Sequence, residues 1–120
     1  MNRLAVLAAL LGFVTVALGA FGAHALDGKL TAQGVEWWHT ATLYGLPHAA
    51  AAFAVALSGR AGLIRVGGWM LVIGAAIFAG TLYAMALGAP RWLGAITPIG
   101  GVSLLVGWAL GMIGGLKASR

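Results

Sequence analysis

Four long apolar runs dominate the chain, and only short polar stretches separate them. The runs cover about residues 3–22, 35–58, 66–87 and 98–116. Each is close to the ~20 residues that a helix needs to cross a hydrocarbon core of ~30 Å. None has the strict alternation of apolar and polar positions that is typical of a strand in a membrane β-barrel. Because backbone groups in lipid must pair inside the protein and the barrel pattern is missing, the runs predict four membrane-spanning helices.

Small residues recur at helical spacing in three of the runs: Ala5, Ala8, Gly12, Thr15, Gly19 and Gly22; Ala76, Gly80 and Ala84; Ser103, Gly107, Gly111 and Gly115. Such stripes share a helix face and let the backbones of membrane helices approach closely. We therefore predict an all-α integral membrane protein, a compact bundle of four transmembrane helices that forms a single membrane domain over residues 1–120. The same faces could serve a homo-oligomer, an alternative that spacing leaves open.

The stretch GAFGAHAL at residues 19–26 allows two interpretations. Ala23-His24-Ala25 has the small-x-small form of a signal-peptide cleavage site. The hydrophobic region of a signal peptide usually has about 7 to 15 residues, whereas residues 4–21 are apolar or small without interruption. The length of the run and its small-residue face favour a first helix that is retained.

Composition supports a membrane location. Hydrophobic residues make up 62% of the chain and charged residues 8%, with only two carboxylates, whereas about a quarter of the residues in a soluble domain are charged. The net charge of +5 is carried by scattered basic residues that form no basic face, so nucleic-acid binding is not expected. The absence of cysteine excludes disulfides, thiolate nucleophiles and Cys-ligated metals.

The distribution of basic residues predicts the orientation. One side of a four-helix topology has Arg3, Arg60, Arg65, Lys117 and Arg120, and the other has Lys29 and Arg91. This asymmetry predicts that both termini are cytoplasmic, an N-in, C-in topology. Trp37, Trp38 and Trp92 then fall at the outer interface as belt residues. The cytoplasmic cluster also suggests contacts with anionic lipid head groups, although topology alone accounts for its charges.

A polar stripe follows the second helix. Glu36, Thr40, Tyr44 and His48 are spaced by four residues, so they share one side of the helix. A rise of ~1.5 Å per residue places His48 roughly 16 Å deeper than Trp37. Because an ionisable group at that depth usually faces the interior of the bundle, we expect the stripe to be buried there.

Pro47 precedes this histidine and cannot donate to the carbonyl of Leu43. A kink is therefore predicted just above His48, with a small polar cavity beside it. Alternatively, a neutral His48 bonds to Tyr83, Thr81 or a freed carbonyl and only fixes the helix register.

The third connection ends at Thr97-Pro98, a sequence typical of an N-cap followed by proline in the first turn.

A metal site is not predicted. His39 and His48 are nine residues apart, which places them on opposite faces of an ideal helix and ~13 Å apart along its axis. His24 and His39 could meet near the outer surface, but two histidines without a third assured ligand are a weak metal signal. No cofactor motif is present.

Several ordered segments carry a family resemblance: GAFGAHAL, the Trp-rich start of the second run leading to HAA at 48–50, GTLY at 80–83, ITPIGG at 96–101 and GW at 107–108. In these the chain resembles domain-of-unknown-function family 423, small YgdD-like bacterial inner-membrane proteins with eukaryotic relatives called transmembrane protein 256-like. The resemblance implies a retained first helix, four spans and the bacterial inner membrane, and brings no established activity. This chain has YGLPH at 44–48 where many relatives have a glutamine-containing stretch, so a cavity made by Pro47 would be local to it.

Three functions follow as hypotheses. We favour a non-enzymatic binding or accessory protein whose pocket opens towards the outer leaflet and takes a lipid, a quinone or another small amphiphile. The candidate ligand-binding residues are His48, Tyr44, His24, His39, Thr40 and Tyr83. A proton-coupled transporter would have to rely on His48, because Asp27 and Glu36 lie at or outside the interface. The third hypothesis is a purely structural subunit of a membrane complex. An enzyme is not expected, because no catalytic motif is present; membrane lipids are the expected partners.

Overall fold

Four long helices account for most of the structure, a computed structural model that describes residues 1–118. They are α1 (Arg3–Ala25), α2 (Ala32–Ser58), α3 (Leu63–Ala86) and α4 (Thr97–Ala118), and a short 3₁₀ helix (Arg91–Ala95) precedes α4. All four are long and apolar enough to cross a membrane. The predicted all-α, four-helix membrane fold is confirmed. Arg120, counted above among the cytoplasmic charges, lies outside the described residues.

Helix α1 runs three residues beyond the predicted end at residue 22, because a π-helical turn (Leu18–Gly22) continues it to Ala25. The carbonyl of Leu18, at the start of this turn, accepts a hydrogen bond of 2.9 Å from the indole Nε1 of Trp38. Most of the stretch GAFGAHAL is therefore helix packed against α2. Trp38 is only 3% exposed, so its assignment to the interfacial belt was wrong: its ring fills the contact between the two helices.

The small-residue face of α1 packs against α2, as predicted. A Cβ atom at Gly19 would lie 2.7 Å from the methyl group of Thr42, and one at Gly22 would overlap the Trp38 ring. At the other end of the contact, Asn2 caps α1 by accepting from the Ala5 amide. The Nδ2 group of the same side chain donates a hydrogen bond of 2.9 Å to the carbonyl of Ala56 near the end of α2. The start of α1 is thereby fastened to α2.

Helices α3 and α4 approach most closely at glycines seven residues apart, Gly67 and Gly74 on α3 and Gly100, Gly107 and Gly114 on α4. A Cβ at Gly74 would lie 2.7 Å from the carbonyl oxygen of Gly100, and one at Gly67 would lie 2.8 Å from that of Gly107. Residues seven positions apart lie on nearly the same face of a helix, so two helices that cross at a shallow angle can stay in contact along these glycines.

The predicted four-residue stripes only partly match this contact. Ser103 and Gly107 are buried in it, but a Cβ at Gly111 or Gly115 would meet nothing within 4 Å. On α3, Ala76 and Gly80 are exposed on another face. The prediction of an internal seam along Ala76, Gly80 and Ala84 was wrong, because a spacing of four drifts around the helix while the observed contact follows a spacing of seven.

The bundle is open on one side. Helix α2 packs between α1 and α3, and α3 packs between α2 and α4, whereas no Cα atom of α4 within the described chain lies within 8 Å of a Cα of α1 or α2. The core residues come mainly from α1, α2 and α3: Leu4, Ala8, Ala52, Ala56, Leu71, Val72, Ala75 and, from α4, Leu104. A groove therefore remains between α2 and α4, with α3 as its floor.

Helix α4 begins one residue earlier than predicted. Thr97 is its first residue, and its hydroxyl donates to the carbonyl of Leu93 at 3.1 Å and lies 2.6 Å from the hydroxyl of Thr81. The predicted N-cap role of Thr97 was wrong, because the preceding 3₁₀ helix leads almost directly into α4. Thr97 instead joins the start of α4 to α3.

Candidate functional site

The groove between α2 and α4 contains a cavity of about 540 Å³ at the end of the bundle that is predicted to face outwards. We call it the outer groove. Its wall comes from α2, its floor from α3, and its far side from the 3₁₀ helix and the start of α4. The lining residues are Trp37, Phe78, Leu82, Met85, Arg91, Gly94, Thr97 and Pro98. A single cationic side chain thus faces a mostly apolar surface.

Arg91 lies at the mouth of the outer groove and has neutral partners. Its guanidinium carbon is 5.8 Å from the centroid of the Trp37 ring, within the range of a cation–π contact. Its Nη2 donates a hydrogen bond of 2.9 Å to Oε1 of Gln33. These contacts orient the guanidinium group, and within residues 1–118 it has no ion-pair partner.

Aromatic side chains extend the groove inward. Phe78 lines the outer groove and also packs against Tyr44, with ring centroids 4.7 Å apart. Tyr44 and His48 are one helical turn apart on α2 and have nearly parallel rings with centroids 6.2 Å apart. Phe78 therefore connects the outer groove to the predicted histidine site.

His48 forms the deep end and makes two hydrogen bonds. The indole Nε1 of Trp108, on α4, donates to its Nε2 at 3.0 Å. Because Nε2 accepts, the proton of the neutral ring is assigned to Nδ1, which donates to the carbonyl of Tyr44 at 2.6 Å. His48 thus links α2 and α4, two helices whose Cα atoms do not approach within 8 Å of each other in the described chain.

The polar stripe of α2 does not face the interior of the bundle, and this expectation was wrong. Tyr44 is 42% exposed, Glu36 is exposed, and Thr40 and His48 are half-buried. Apart from Trp38, the buried face of α2 consists instead of small residues: Gly34, Ala41, Gly45, Ala49, Ala52 and Ala56. Only such residues let α1 and α3 approach α2 closely, which leaves the larger polar side chains along the groove and the lipid-facing surface.

Tyr83 and Thr81 do not bond to His48. The hydroxyl of Tyr83 lies 2.6 Å from that of Thr42, and the Tyr83 ring packs edge-on against Trp38 with centroids 4.6 Å apart. Thr81 pairs with Thr97, as described above. His48 does bond to a backbone carbonyl, that of Tyr44. The carbonyl that Pro47 was expected to free is that of Leu43, one residue earlier.

Pro47 borders a different cavity. Helix α2 continues through it to Ser58, and the hollow of about 400 Å³ beside it also contains His39 and Leu43 of α2 and Gly19 and Ala23 of α1. The structure thus places Pro47 with His39 on the α1 side, whereas His48 faces α4. His48 lines neither this hollow nor the outer groove, so the small polar cavity predicted where Pro47 and His48 meet is not one of these two.

The remaining predicted residues lie apart from this groove. His24 is exposed in the last turn of α1, and His39 is exposed on the α1 side of α2. Within residues 1–118, no three His, Cys, Asp or Glu side chains are close enough to hold a metal ion.

Sequence reasoning missed Phe78, Arg91 and Trp108 as site residues. Phe78 and Arg91 gave no signal beyond an apolar position and a loop charge. Trp108 did give one, because tryptophan in membrane helices is enriched at the interfaces and this one is ten residues or more from both ends of α4.

Comparison with known proteins supports the membrane assignment. A family described as "Protein of unknown function (DUF423)" matches residues 18–101. The UPF0382 membrane protein SSP2132 of Staphylococcus saprophyticus is 42% identical over 93% of this chain and 95% of its own length. The UPF0382 membrane protein YwdK of Bacillus subtilis is 38% identical over 93% and 94% of the two chains. The UPF0382 inner membrane protein YgdD of Escherichia coli K12 is 37% identical over 96% and 90%. No solved structure matches.

Proposed function

Because this chain belongs to the DUF423 family and is a multi-pass inner-membrane protein of unknown function, we propose its function from its own site: it binds a small membrane amphiphile in the outer groove, without catalysis. The observation that carries the proposal is an open, mostly apolar cavity that has the Arg91 cation at its mouth and the rings of Trp37 and Phe78 in its lining.

The charge at the mouth selects the head group. The two contacts of Arg91 are a neutral amide and an indole face. A carboxylate or phosphate accepts paired hydrogen bonds from a guanidinium group and supplies the missing negative charge. The proposed ligand therefore has an anionic head at the level of Arg91.

The size and lining of the groove suit the apolar part of such a ligand. Its volume of about 540 Å³ lies within the ~300–1,000 Å³ that is usual for small-molecule sites. Phe78, Leu82 and Met85 provide an apolar floor, and a methionine adapts to irregular chains because its side chain is flexible. The chain of the amphiphile would run from the mouth towards Tyr44.

His48 has a positioning role in this proposal. Both ring nitrogens are engaged, with Trp108 and with the carbonyl of Tyr44. The histidine thus holds α4 at a fixed distance from α2 at the deep end of the groove. Nothing at the site favours proton-coupled transport, since the two carboxylates, Asp27 and Glu36, are exposed and outside the groove lining.

A fatty acid brominated in mid-chain (dibromostearate) tests the proposal, because bromine quenches indole fluorescence on contact and Trp37 lines the groove. We expect saturable quenching in the detergent-solubilised full chain. Arg91→Gln should weaken binding at least about tenfold, the value of one charge-assisted hydrogen bond. Lys29→Gln is the matched control, since it removes an exposed charge in the α1–α2 connection.

A second pair of variants tests the groove by volume. Gly94→Leu should fill it, because a Cβ at Gly94 meets only the sulfur of Met85, at 3.8 Å. Gly80→Leu adds the same side chain where a Cβ meets nothing within 4 Å, on another face. Loss of saturable quenching in Gly94→Leu alone supports the proposal. Equal quenching in both variants and in Arg91→Gln contradicts it and leaves a structural subunit as the better account.

A further inference from the structure

A second cavity lies at the opposite end of the bundle, where α2 ends, α3 begins and α4 ends. Its volume is about 380 Å³. The lining residues are Arg60, Ala61, Gly62, Leu63, Ile64, Gly114, Lys117 and Ala118. We call it the basic hollow. It brings together two cationic residues that are far apart in the sequence.

The local sequence explains why the hollow forms. Gly59 and Gly62 have φ of 71° and 70°, a left-handed conformation that glycine adopts without strain, and together they turn the chain sharply between α2 and α3. Gly114 lets α4 press against the first turn of α3, because a Cβ there would lie 2.9 Å from the amide nitrogen of Ile64. The C-terminal turn of α4 thus comes beside the α2–α3 turn.

Among the described residues, the two basic side chains of the hollow have no charged partner. The side chains of Arg60 and Lys117 make no hydrogen bond or ion pair with the part of the chain that the structure describes. The two carboxylates of the protein are Asp27, between α1 and α2, and Glu36, near the start of α2. Both belong to the opposite end of the antiparallel bundle. Neither carboxylate side chain therefore serves as a counter-charge for the hollow.

Orientation in the membrane explains basic residues at this end in general, but not their convergence. Arg3 and Arg65 contribute equally to the positive side without lining the cavity. Arg60 and Lys117 instead border one cavity, which Gly62 before α3 also lines. Two cationic side chains at one cavity can both donate charge-assisted hydrogen bonds to the oxygens of a phosphate group.

We propose that the basic hollow binds the phosphate of an anionic phospholipid head group in the leaflet on the side of the two chain termini. The site is separate from the outer groove, at the other end of the helices, and does not depend on the function proposed for that groove. Inorganic phosphate has the same chemistry, so the experiment must distinguish the two sources.

Lipid titration of the full chain tests the proposal. Native mass spectrometry of the detergent-solubilised protein counts bound phosphatidylglycerol, with phosphatidylcholine as the neutral lipid. We expect preferential retention of phosphatidylglycerol. Each basic residue near an anionic surface contributes about a factor of five, so Arg60→Gln with Lys117→Gln should weaken binding roughly 30-fold. The single variants, about fivefold each, replace the double variant if it fails to fold.

Arg65→Gln is the matched control, because it removes one charge from the same end without altering the lining of the hollow. Unchanged binding in Arg65→Gln together with loss in the double variant supports the hollow as the site. Equal retention of the two lipids, or equal loss in Arg65→Gln and the single Arg60→Gln, overturns the proposal. Competition by inorganic phosphate at constant ionic strength would identify free phosphate as a ligand of the same hollow; no competition would identify the lipid.

The two proposals fail independently. Substitution of Arg91 or Gly94 should abolish or weaken dibromostearate binding. Substitution of Arg60 and Lys117 should instead remove the preference for phosphatidylglycerol. A protein that binds one probe and not the other refutes one site and leaves the other intact.

Discussion

Trp108 donates a hydrogen bond of 3.0 Å from its indole Nε1 to Nε2 of His48, across the gap between α4 and α2. No backbone contact joins these two helices in the described chain. The bond therefore bridges the groove at its deep end, while the packing of α4 on α3 positions the helix itself. It also occupies the one ring nitrogen of His48 that its own helix leaves free.

Trp108→Phe should remove this bond while keeping an aromatic ring on α4. Interhelical hydrogen bonds in membranes contribute about 0.6 kcal/mol on average and ~1.7 at most, so we expect a loss of that size in the free energy of unfolding. Reversible unfolding in mixed detergent micelles measures it. Trp92→Phe is the control, because Trp92 is 65% exposed. Equal effects of the two variants would show that the bond does not join α2 and α4.

Gly74→Ala should destabilise the contact between α3 and α4. The added methyl group would lie 2.7 Å from the carbonyl of Gly100, so the helices must separate, at a cost of about 1–3 kcal/mol. Gly111→Ala adds the same group to α4 in open space and should be neutral or slightly stabilising. Thermal unfolding of both variants checks the difference. A stable Gly74→Ala would contradict the seven-residue contact.

Asn2→Ala should loosen the start of α1. It removes an N-cap, which contributes about 1 kcal/mol, and the hydrogen bond to Ala56, which contributes about another 1 kcal/mol. Asn2→Asp keeps the cap acceptor and removes only the amide donor, so its loss should be about half as large. Hydrogen exchange at the first turn of α1 reports the change. Identical exchange in all three proteins would contradict the double role of Asn2.

The mature chain should keep α1. Leu4 and Ala8 are in the core, and the glycines of α1 fit the surface of α2, so removal of the helix would expose the small-residue face of α2 to lipid. Intact mass spectrometry of the purified protein should give a mass that includes residues 1–25. A chain that begins at Leu26 would contradict the retention of α1.

The sequence was enough to predict the four helices, because a span of ~20 apolar residues is a local property. It was also enough to predict the packing face of α1, whose small residues follow the period of a single helix. The position of the polar stripe on α2 could not be predicted. The stripe lies along a groove because the backbone of α4 packs against α3 and not against α2. That packing depends on the contact between Gly74 of α3 and Gly100 of α4.

The bond between His48 and Trp108 could not be predicted either, because the two residues are 60 positions apart and no local pattern pairs them. The sequence did indicate that a histidine at mid-membrane depth needs a partner. It could not indicate which of Tyr83, Thr81, a carbonyl or an indole would supply it. That choice follows from the rotation of α2, which its small residues fix against α1 and α3.

The central claim is that the outer groove holds an amphiphile, and native mass spectrometry of the gently solubilised protein tests it most directly. We expect a defined adduct on the wild-type chain and on Gly80→Leu, and none on Gly94→Leu, in which the new side chain fills the groove. The mass of the adduct would identify the bound compound. A bare wild-type chain, or an adduct that Gly94→Leu retains equally, would contradict the claim.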